Sequence, residues 1–172
     1  MPPVYWAIEL LTIDTLIDGW IDGSLPFQRA IFNPMMWRDV LSIRLQSVLI
    51  QPTGDLQITE SKLPAMTVPL KYQLVGVIPK DKNGLDAVQK NCVVSVSAPV
   101  QLLVGPYSIQ GLLQSTYPLK DIDDCASAGY NYLKDVEINQ ITPGSRLKGL
   151  KAPAMLVSTA LLQYMALVQK PQ

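Results

Sequence analysis

The two halves of this chain resemble each other, and this internal repeat constrains the fold more than any other feature of the sequence. Residues 7–24 align without a gap on residues 99–116, and Gly19 falls on Gly111. Two shorter blocks match in the same order, namely residues 38–40 with 134–136 and residues 64–66 with 153–155. Three ordered matches favour a duplication. The alternative is that two amphipathic β segments resemble each other because both alternate.

The repeat decides between helix and strand for the N-terminal segment. Leu10, Ile13 and Ile17 are spaced as on one face of a helix. The second half, however, has Gly105-Pro106 where the first has Ile13-Asp14, and that pair would break a helix. A strand, a tight turn and a second strand fit both halves. We therefore predict two hairpins, over 6–12 with 16–22 and over 94–104 with 108–114.

Further strands are predicted in each half. Apolar and polar residues alternate from Val40 to Ile50, which indicates a strand with one buried face. Pro52-Thr53-Gly54-Asp55 indicates a turn, after which Leu56 to Thr59 would pair back. The second half has a strand over 136–141 and a turn over 142–145. Each half then ends in two paired apolar strands, predicted over 64–69 with 73–79 and over 154–159 with 161–168.

These elements predict an all-β, mainly antiparallel fold of two tandem, diverged small β-barrel or curved-sheet units that pack together. The first repeat covers residues 1–79 and the second covers 92–172. The charged segment 80–91 contains Asn83-Gly84, a turn signal, and would be a linker.

The predicted strand order resembles that of Sm-like barrels. It has a curved hairpin with a glycine in its second strand, then a long middle strand and a short final pair. The resemblance implies a module that binds RNA or a small ligand. The Asp and Asn of that family's RNA-binding loop have no clear equivalent after Gly19 or Gly111.

Composition bounds the function. Hydrophobic residues make up 48% and charged residues 16%, and the mean hydropathy is +0.19. Such a chain either has a large core or has apolar surface that a partner covers, and we favour the second. Fourteen basic and fourteen acidic residues give a net charge of zero. This balance argues against a DNA or general polyanion binder, does not favour RNA, and suits a protein held in an assembly.

The residues needed for several kinds of catalysis are missing from the sequence. It contains no histidine, which excludes Ser-His-Asp and Cys-His nucleophiles and nearly all catalytic zinc sites. It also has no glycine-rich phosphate loop. The acidic loop at 121–124 lacks the glycine and glutamate of an EF-hand. Asp14, Asp18 and Asp22 would span about 26 Å of extended chain and are expected to serve solubility. We therefore predict no enzyme, no cofactor and no metal, although Lys, Asp and Tyr chemistry stays open.

The two cysteines, Cys92 and Cys125, have no metal-site spacing. With no basic leader before them, they predict a reduced, cytoplasmic setting and free thiols. A Cys92–Cys125 disulfide is the alternative. No apolar run reaches the length of a membrane helix, so we expect no transmembrane segment and leave peripheral membrane contact open.

An apolar loop from Leu25 to Trp37 is the strongest candidate site. Its aromatic and Met residues either fold onto their own core or dock on another chain. The corresponding loop of the second half is much more polar. The predicted function is a non-enzymatic interaction or assembly module that binds a protein partner or itself. The candidate partner-binding residues are Phe27, Ile31, Phe32, Met35, Met36 and Trp37.

Overall fold

The computed structural model describes residues 4–33, 40, 42–54, 60–70, 74–92, 94, 96–116 and 130–168. Within these residues the chain forms ten strands and three short helical segments, which confirms the mainly antiparallel β class. In chain order they are β1 (Tyr5–Thr12), β2 (Thr15–Asp22), α1 (Pro26–Arg29), a 3₁₀ turn (Ala30–Phe32), β3 (Ser42–Pro52), β4 (Ser61–Pro69), β5 (Leu74–Pro79), α2 (Lys82–Asn91), β6 (Val96–Val104), β7 (Tyr107–Ser115), β8 (Tyr130–Gln140), β9 (Leu150–Ser158) and β10 (Leu162–Leu167).

All ten strands belong to one open antiparallel sheet. Its order is β10-β6-β7-β8-β9-β5-β1-β2-β3-β4, so β10 and β4 are the edge strands. The two halves join where β5 pairs with β9, through Gly76 opposite Val157 and Val77 opposite Leu156. In each half the last strand in sequence pairs with the first strand: β5 pairs with β1, and β10 pairs with β6.

Both predicted hairpins are confirmed as β1–β2 and β6–β7. The pairing predicted for the last two strands of each half is wrong. β4 pairs with β3, and β9 pairs with β8 and β5, whereas β5 and β10 return to the first strand of their own half. The strand that pairs back on β3 is Ser61–Pro69, and Leu56 to Thr59 lies outside the described residues.

Each of the two longest strands contains one non-glycine residue in the left-handed region. Ser47 in β3 and Asp135 in β8 both have φ of 50°. The pairing register shifts beside them, between Asp18 and Trp20 in one half and between Gln110 and Leu112 in the other. These are β-bulges, which bend a strand and increase its twist.

The predicted linker forms a helix. Asp81 caps the N-terminus of α2, because its Oδ1 accepts a hydrogen bond from Gly84 N at 2.8 Å. Its Oδ2 accepts another from Ala7 N at 2.8 Å, which ties the helix to β1. Val88 is buried on the inner face of the helix. The segment therefore packs against the first half instead of spanning a gap.

Two apolar clusters form the core, and each takes side chains from both halves. Leu11, Leu16 and Val75 of the first half pack in the cluster of β6–β10. Tyr132 and Leu156 of the second half pack in the cluster of β1–β5. Burial of apolar surface from both halves in each cluster couples their stabilities.

Candidate functional site

The structure divides the candidate loop residues between core and surface. Ile31 and Phe32 are fully buried in the cluster of β1–β5. Phe27, on α1, has 60% of its surface exposed. Met35, Met36 and Trp37 lie outside the described residues. Of the described candidates, Phe27 alone presents an apolar side chain to solvent.

Local sequence explains how the chain turns Phe27 outward and Phe32 inward. Pro26 occupies the first turn of α1, where its missing N–H costs nothing. The 3₁₀ turn that follows brings Phe32 against Trp6, with ring centroids 5.5 Å apart and planes tilted by 42°. Asn91 Nδ2 at the end of α2 donates a hydrogen bond to Phe32 O at 3.4 Å. Phe32 is therefore held between β1 and α2.

A cleft of about 410 Å³ lies between α1 and α2, beside Phe27. Its charged lining comprises Arg29, Asp86 and Lys90, and most of the rest is amide or small apolar surface. The cleft therefore combines charged and amide groups with apolar surface. The lining residues are Trp6, Pro26, Arg29, Ala30, Asn33, Asn83, Asp86, Ala87, Lys90 and Asn91.

The edge strands form a second candidate surface, which the sequence did not indicate. In β4, six of nine residues are exposed, whereas six of nine in β9 are buried. All six residues of β5 are buried, whereas only Met165 is buried in β10. The exposed apolar side chains of the two edges are those of Leu63, Tyr164 and Leu167, with Val168 just beyond. Exposed edge strands can add a further strand.

A partly buried charged cluster joins β1, β2 and Lys80, the residue that directly follows β5. Glu9 faces Asp18 across the hairpin, and Lys80 forms an ion pair with Glu9. Glu9 is buried and Asp18 is partly buried. Burial, followed by a hydrogen bond to Glu9 and the charge of Glu9, raises the pKa of Asp18 to about 6, and Lys80 opposes this rise. The protonated carboxyl of Asp18 can donate a hydrogen bond to Glu9.

This cluster changes the interpretation of one sequence feature. Asp14, Asp18 and Asp22 are all partly exposed on or beside β2. Asp18 differs from the others because its neighbour across the hairpin is also acidic. Glu9 could have been found from the sequence only by pairing 6–12 with 16–22 in the correct register.

Other candidate chemistry is limited in the described part of the chain. No group of three or more His, Cys, Asp or Glu side chains there could hold a metal ion. Cys92 carries a free thiol, and burial raises its pKa to about 11, while Cys125 lies outside the described residues. Among the helices described, none is long and apolar enough to cross a membrane.

Comparisons with protein-family models, with curated proteins and with solved structures find no match to this chain.

Proposed function

We propose that this protein is a non-enzymatic assembly module built from a duplicated β unit. The exposure of β4 and β10 carries the proposal, because the strands at the matching places, β9 and β5, are buried against each other at the centre of the sheet. At the centre of the sheet, the matching strands β9 and β5 pair with each other, whereas β4 and β10 are exposed at the edges. An exposed edge strand can pair with a strand of another molecule.

Strand lengths and registers support the duplication. β3 and β8 have eleven residues each, β4 and β9 have nine, and β5 and β10 have six. Gly19 and Gly111 each lie beside a bulge, opposite Ile8 and Val100. Gly111 follows Gly19 by 92 residues, and Val100 follows Ile8 by the same number. A bulge at the matching place in both halves supports the duplication more than an alternating pattern alone does.

The two glycines also meet the same neighbours. A Cβ at Gly19 would lie 3.0 Å from Leu45 Cβ and 3.4 Å from Gln46 O. A Cβ at Gly111 would lie 3.4 Å from Leu133 Cβ and 2.9 Å from Lys134 O. The long strand therefore approaches the hairpin closely at the glycine of each half, most tightly at Gly111. We assign the boundaries of the two units as residues 1–79 and 92–172, with 80–91 between them.

Phe27 and the cleft beside it form the second docking surface in this proposal. Phe27 is aromatic and exposed, and aromatic side chains are favoured in the cores of protein interfaces. The second half has no equivalent apolar loop in its sequence. This surface would distinguish one unit of the duplicated pair from the other. A cytoplasmic setting fits the free thiol of Cys92.

Measurement of the solution mass tests the proposal. Light scattering of the purified chain over a wide range of concentrations should give a mass above that of one chain, or the tagged chain should recover a protein partner from its native lysate. Retention on single-stranded RNA at low salt, lost at high salt, would support the RNA-binding alternative instead. A monomer at every concentration that recovers no partner would contradict the assembly proposal.

A further inference from the structure

The geometry points to a second copy of this chain as the occupant of the sheet edges. We propose that β10 of one molecule adds antiparallel to β4 of the next, so that the ten-stranded sheet continues from chain to chain. This inference rests on the proposed function and deepens it, because it names the partner and the two surfaces that meet.

The junction inside the chain is the template for this contact. There β5, the last strand of the first half, pairs with β9, the fourth strand of the second half. Among the described strands, the edge strand of the second half is its last, β10. The edge strand of the first half is its fourth, β4. Each molecule therefore carries at its two ends the same two strand types that already pair at its centre.

The registers of the outer strands define how they would meet. β5 skips Val75 where it pairs with β1, and β10 skips Gln163 where it pairs with β6. Gly76 pairs with Leu11, and Tyr164 pairs with Leu103, the matching residue of the second half. Tyr164 of β10 therefore corresponds to Gly76 of β5. In the same way Met165 corresponds to Val77. β4 and β9 each pair with the bulged long strand in one constant register, with Ala65 opposite Gln46 and Ala154 opposite Lys134. The template thus pairs Tyr164 with Val68 and Met165 with Thr67 of the next chain, and continues to Leu167 with Ala65.

Proline in β4 does not prevent this pairing. An edge proline often blocks strand addition, and Pro64 stands in β4. Pro153 has the matching place in β9, and β9 pairs with β5 nonetheless, through Leu156 and Val157. The predicted contact uses residues 65–68, between Pro64 and Pro69, and Pro69 has Ser158 at the matching place in β9.

One residue makes the contact between chains differ from its template. Gly76 allows close approach at the centre, since a Cβ there would lie 2.7 Å from Leu156 O. Tyr164 stands at this place in β10 and has 52% of its surface exposed. Its Cβ must widen the gap between the strands, and its ring would cover apolar surface of the neighbouring β4. The contact between chains is therefore expected to be weaker and more reversible than the junction within the chain.

The two edges are different strands, so the contact is head-to-tail. Such a contact closes into a ring if its rotation allows and otherwise extends as a filament. The zero net charge of the chain opposes neither, because identical neutral copies repel each other little.

Charged substitutions at each edge test the inference. Tyr164→Lys blocks the β10 edge and Ala65→Lys blocks the β4 edge, since lysine on an edge strand opposes strand addition. Both positions are exposed, so each variant should fold, as checked by circular dichroism. Each alone should be a monomer. Ile141→Lys is the matched control, because Ile141 is 57% exposed and lies outside both edge strands; it should keep the mass of the unmodified chain.

Mixing the two blocked variants gives the decisive result. The Tyr164→Lys chain keeps an intact β4 and the Ala65→Lys chain keeps an intact β10. The mixture should form a complex of twice the mass of one chain that does not grow further. Pairing of like edges, β10 with β10 or β4 with β4, would give no such rescue and would overturn the inference.

Cysteine cross-linking tests the register. In a background with Cys92→Ser and Cys125→Ser, a chain with Leu167→Cys mixed with a chain with Ala65→Cys should form a disulfide-linked dimer. Leu63→Cys in place of Ala65→Cys shifts the thiol by two residues on the same face, beyond the reach of a disulfide, and should not cross-link. Equal cross-linking of both pairs would overturn the register.

The outcomes separate this inference from the proposed function. An unmodified chain that associates but keeps its mass in both edge variants would contradict the inference and leave the assembly function standing. A monomer that recovers a different protein would do the same. A monomer that recovers nothing would contradict both.

Discussion

The hydroxyl groups of Tyr107 and Thr53 lie 2.7 Å apart in the interior and form a hydrogen bond between the two halves of the chain. Tyr107 is fully buried and Thr53 is 1% exposed. The backbone of Thr53 makes two more contacts, because its N donates to Asp14 O and its O accepts from Arg146 N, both at 2.9 Å. Thr53, which follows β3 directly, thus connects the turn between β1 and β2, the segment after β8 and the first residue of β7.

Tyr107→Phe should therefore destabilise the fold. The substitution leaves the buried Thr53 hydroxyl without its partner, at a cost of about 1–2 kcal/mol in the free energy of unfolding. Urea denaturation measures this change. Tyr5→Phe removes a hydroxyl from a side chain that is 40% exposed and should cost less than about 0.5 kcal/mol. If Thr53→Val in addition to Tyr107→Phe costs the sum of the two single changes, the hydroxyls do not interact.

Gly76→Ala should weaken the junction between β5 and β9. The new Cβ would lie 2.7 Å from Leu156 O and would also contact Met155 Cε. The carbonyl belongs to a paired strand and cannot move aside freely, so we expect a loss of about 1–3 kcal/mol in the free energy of unfolding. Gly54→Ala is the control, because among the described residues a Cβ there would meet only Gln140 Nε2, at 3.5 Å. Equal effects of the two substitutions in thermal or urea unfolding would show that the junction is not tightly packed.

The sequence predicted local pairing well and long-range pairing poorly. Both hairpins could be predicted because a short turn forces its two strands together, and Gly105-Pro106 marked one of those turns. The return of β5 to β1 depends on contacts between residues about 65 apart in sequence, such as Leu11 with Gly76. No local pattern specifies such a pairing, since loop closure and packing select it.

The duplication stays a proposal, and the strand pairing supports a different alignment for one of its three sequence blocks. Lys134 pairs with Ala154, and the residue that pairs with Ala65 is Gln46. The structural match of residues 134–136 is therefore 46–48, eight residues beyond the block 38–40 chosen from similarity. The bulge at Ser47 and Asp135 is the feature that defines the match, and a bulge has no residue signature when glycine is absent from it.

Helix α2 was missed for a related reason. Asn83-Gly84 indicates a turn in isolation, yet Gly84 lies in the first turn of the helix and donates its N–H to Asp81. An aspartate three residues before the glycine, followed by Leu85 and Val88, is a helix start. The glycine fits a tight space, because a Cβ would lie 3.0 Å from Pro79 Cβ and 3.4 Å from Phe32 Cζ.

A substitution at Phe32 should lower stability, whereas a substitution at Phe27 should weaken partner binding. Phe32→Ser removes a fully buried ring and should cost about 3–5 kcal/mol in the free energy of unfolding. Phe27→Ser removes a ring that is 60% exposed and should change stability by less than about 1 kcal/mol, while it weakens recovery of a partner from lysate. Arg29→Ala, in the adjacent cleft lining, tests whether the loss extends into the cleft. Unchanged partner recovery by the folded Phe27→Ser chain would remove this surface from the proposed function.

The pairing of Asp18 with Glu9 should make stability depend on pH. The pKa of Asp18 is raised from 3.8 to about 6, first by burial and then by Glu9. A carboxyl group with a raised pKa contributes stability in its protonated form, so this contribution is present below pH 3.8 and is lost as the pH rises through 6. The unmodified chain should therefore lose stability between about pH 4 and pH 7 relative to Asp18→Asn, which stays neutral.

Because Asp18 is partly exposed and screened, we expect a relative change on the order of 1 kcal/mol. Urea denaturation at each pH measures it, with Asp86→Asn on the exposed face of α2 as the reference for loss of one carboxylate. A difference between the unmodified chain and Asp18→Asn that stays constant across this range would show that the folded chain does not favour the protonated form of Asp18.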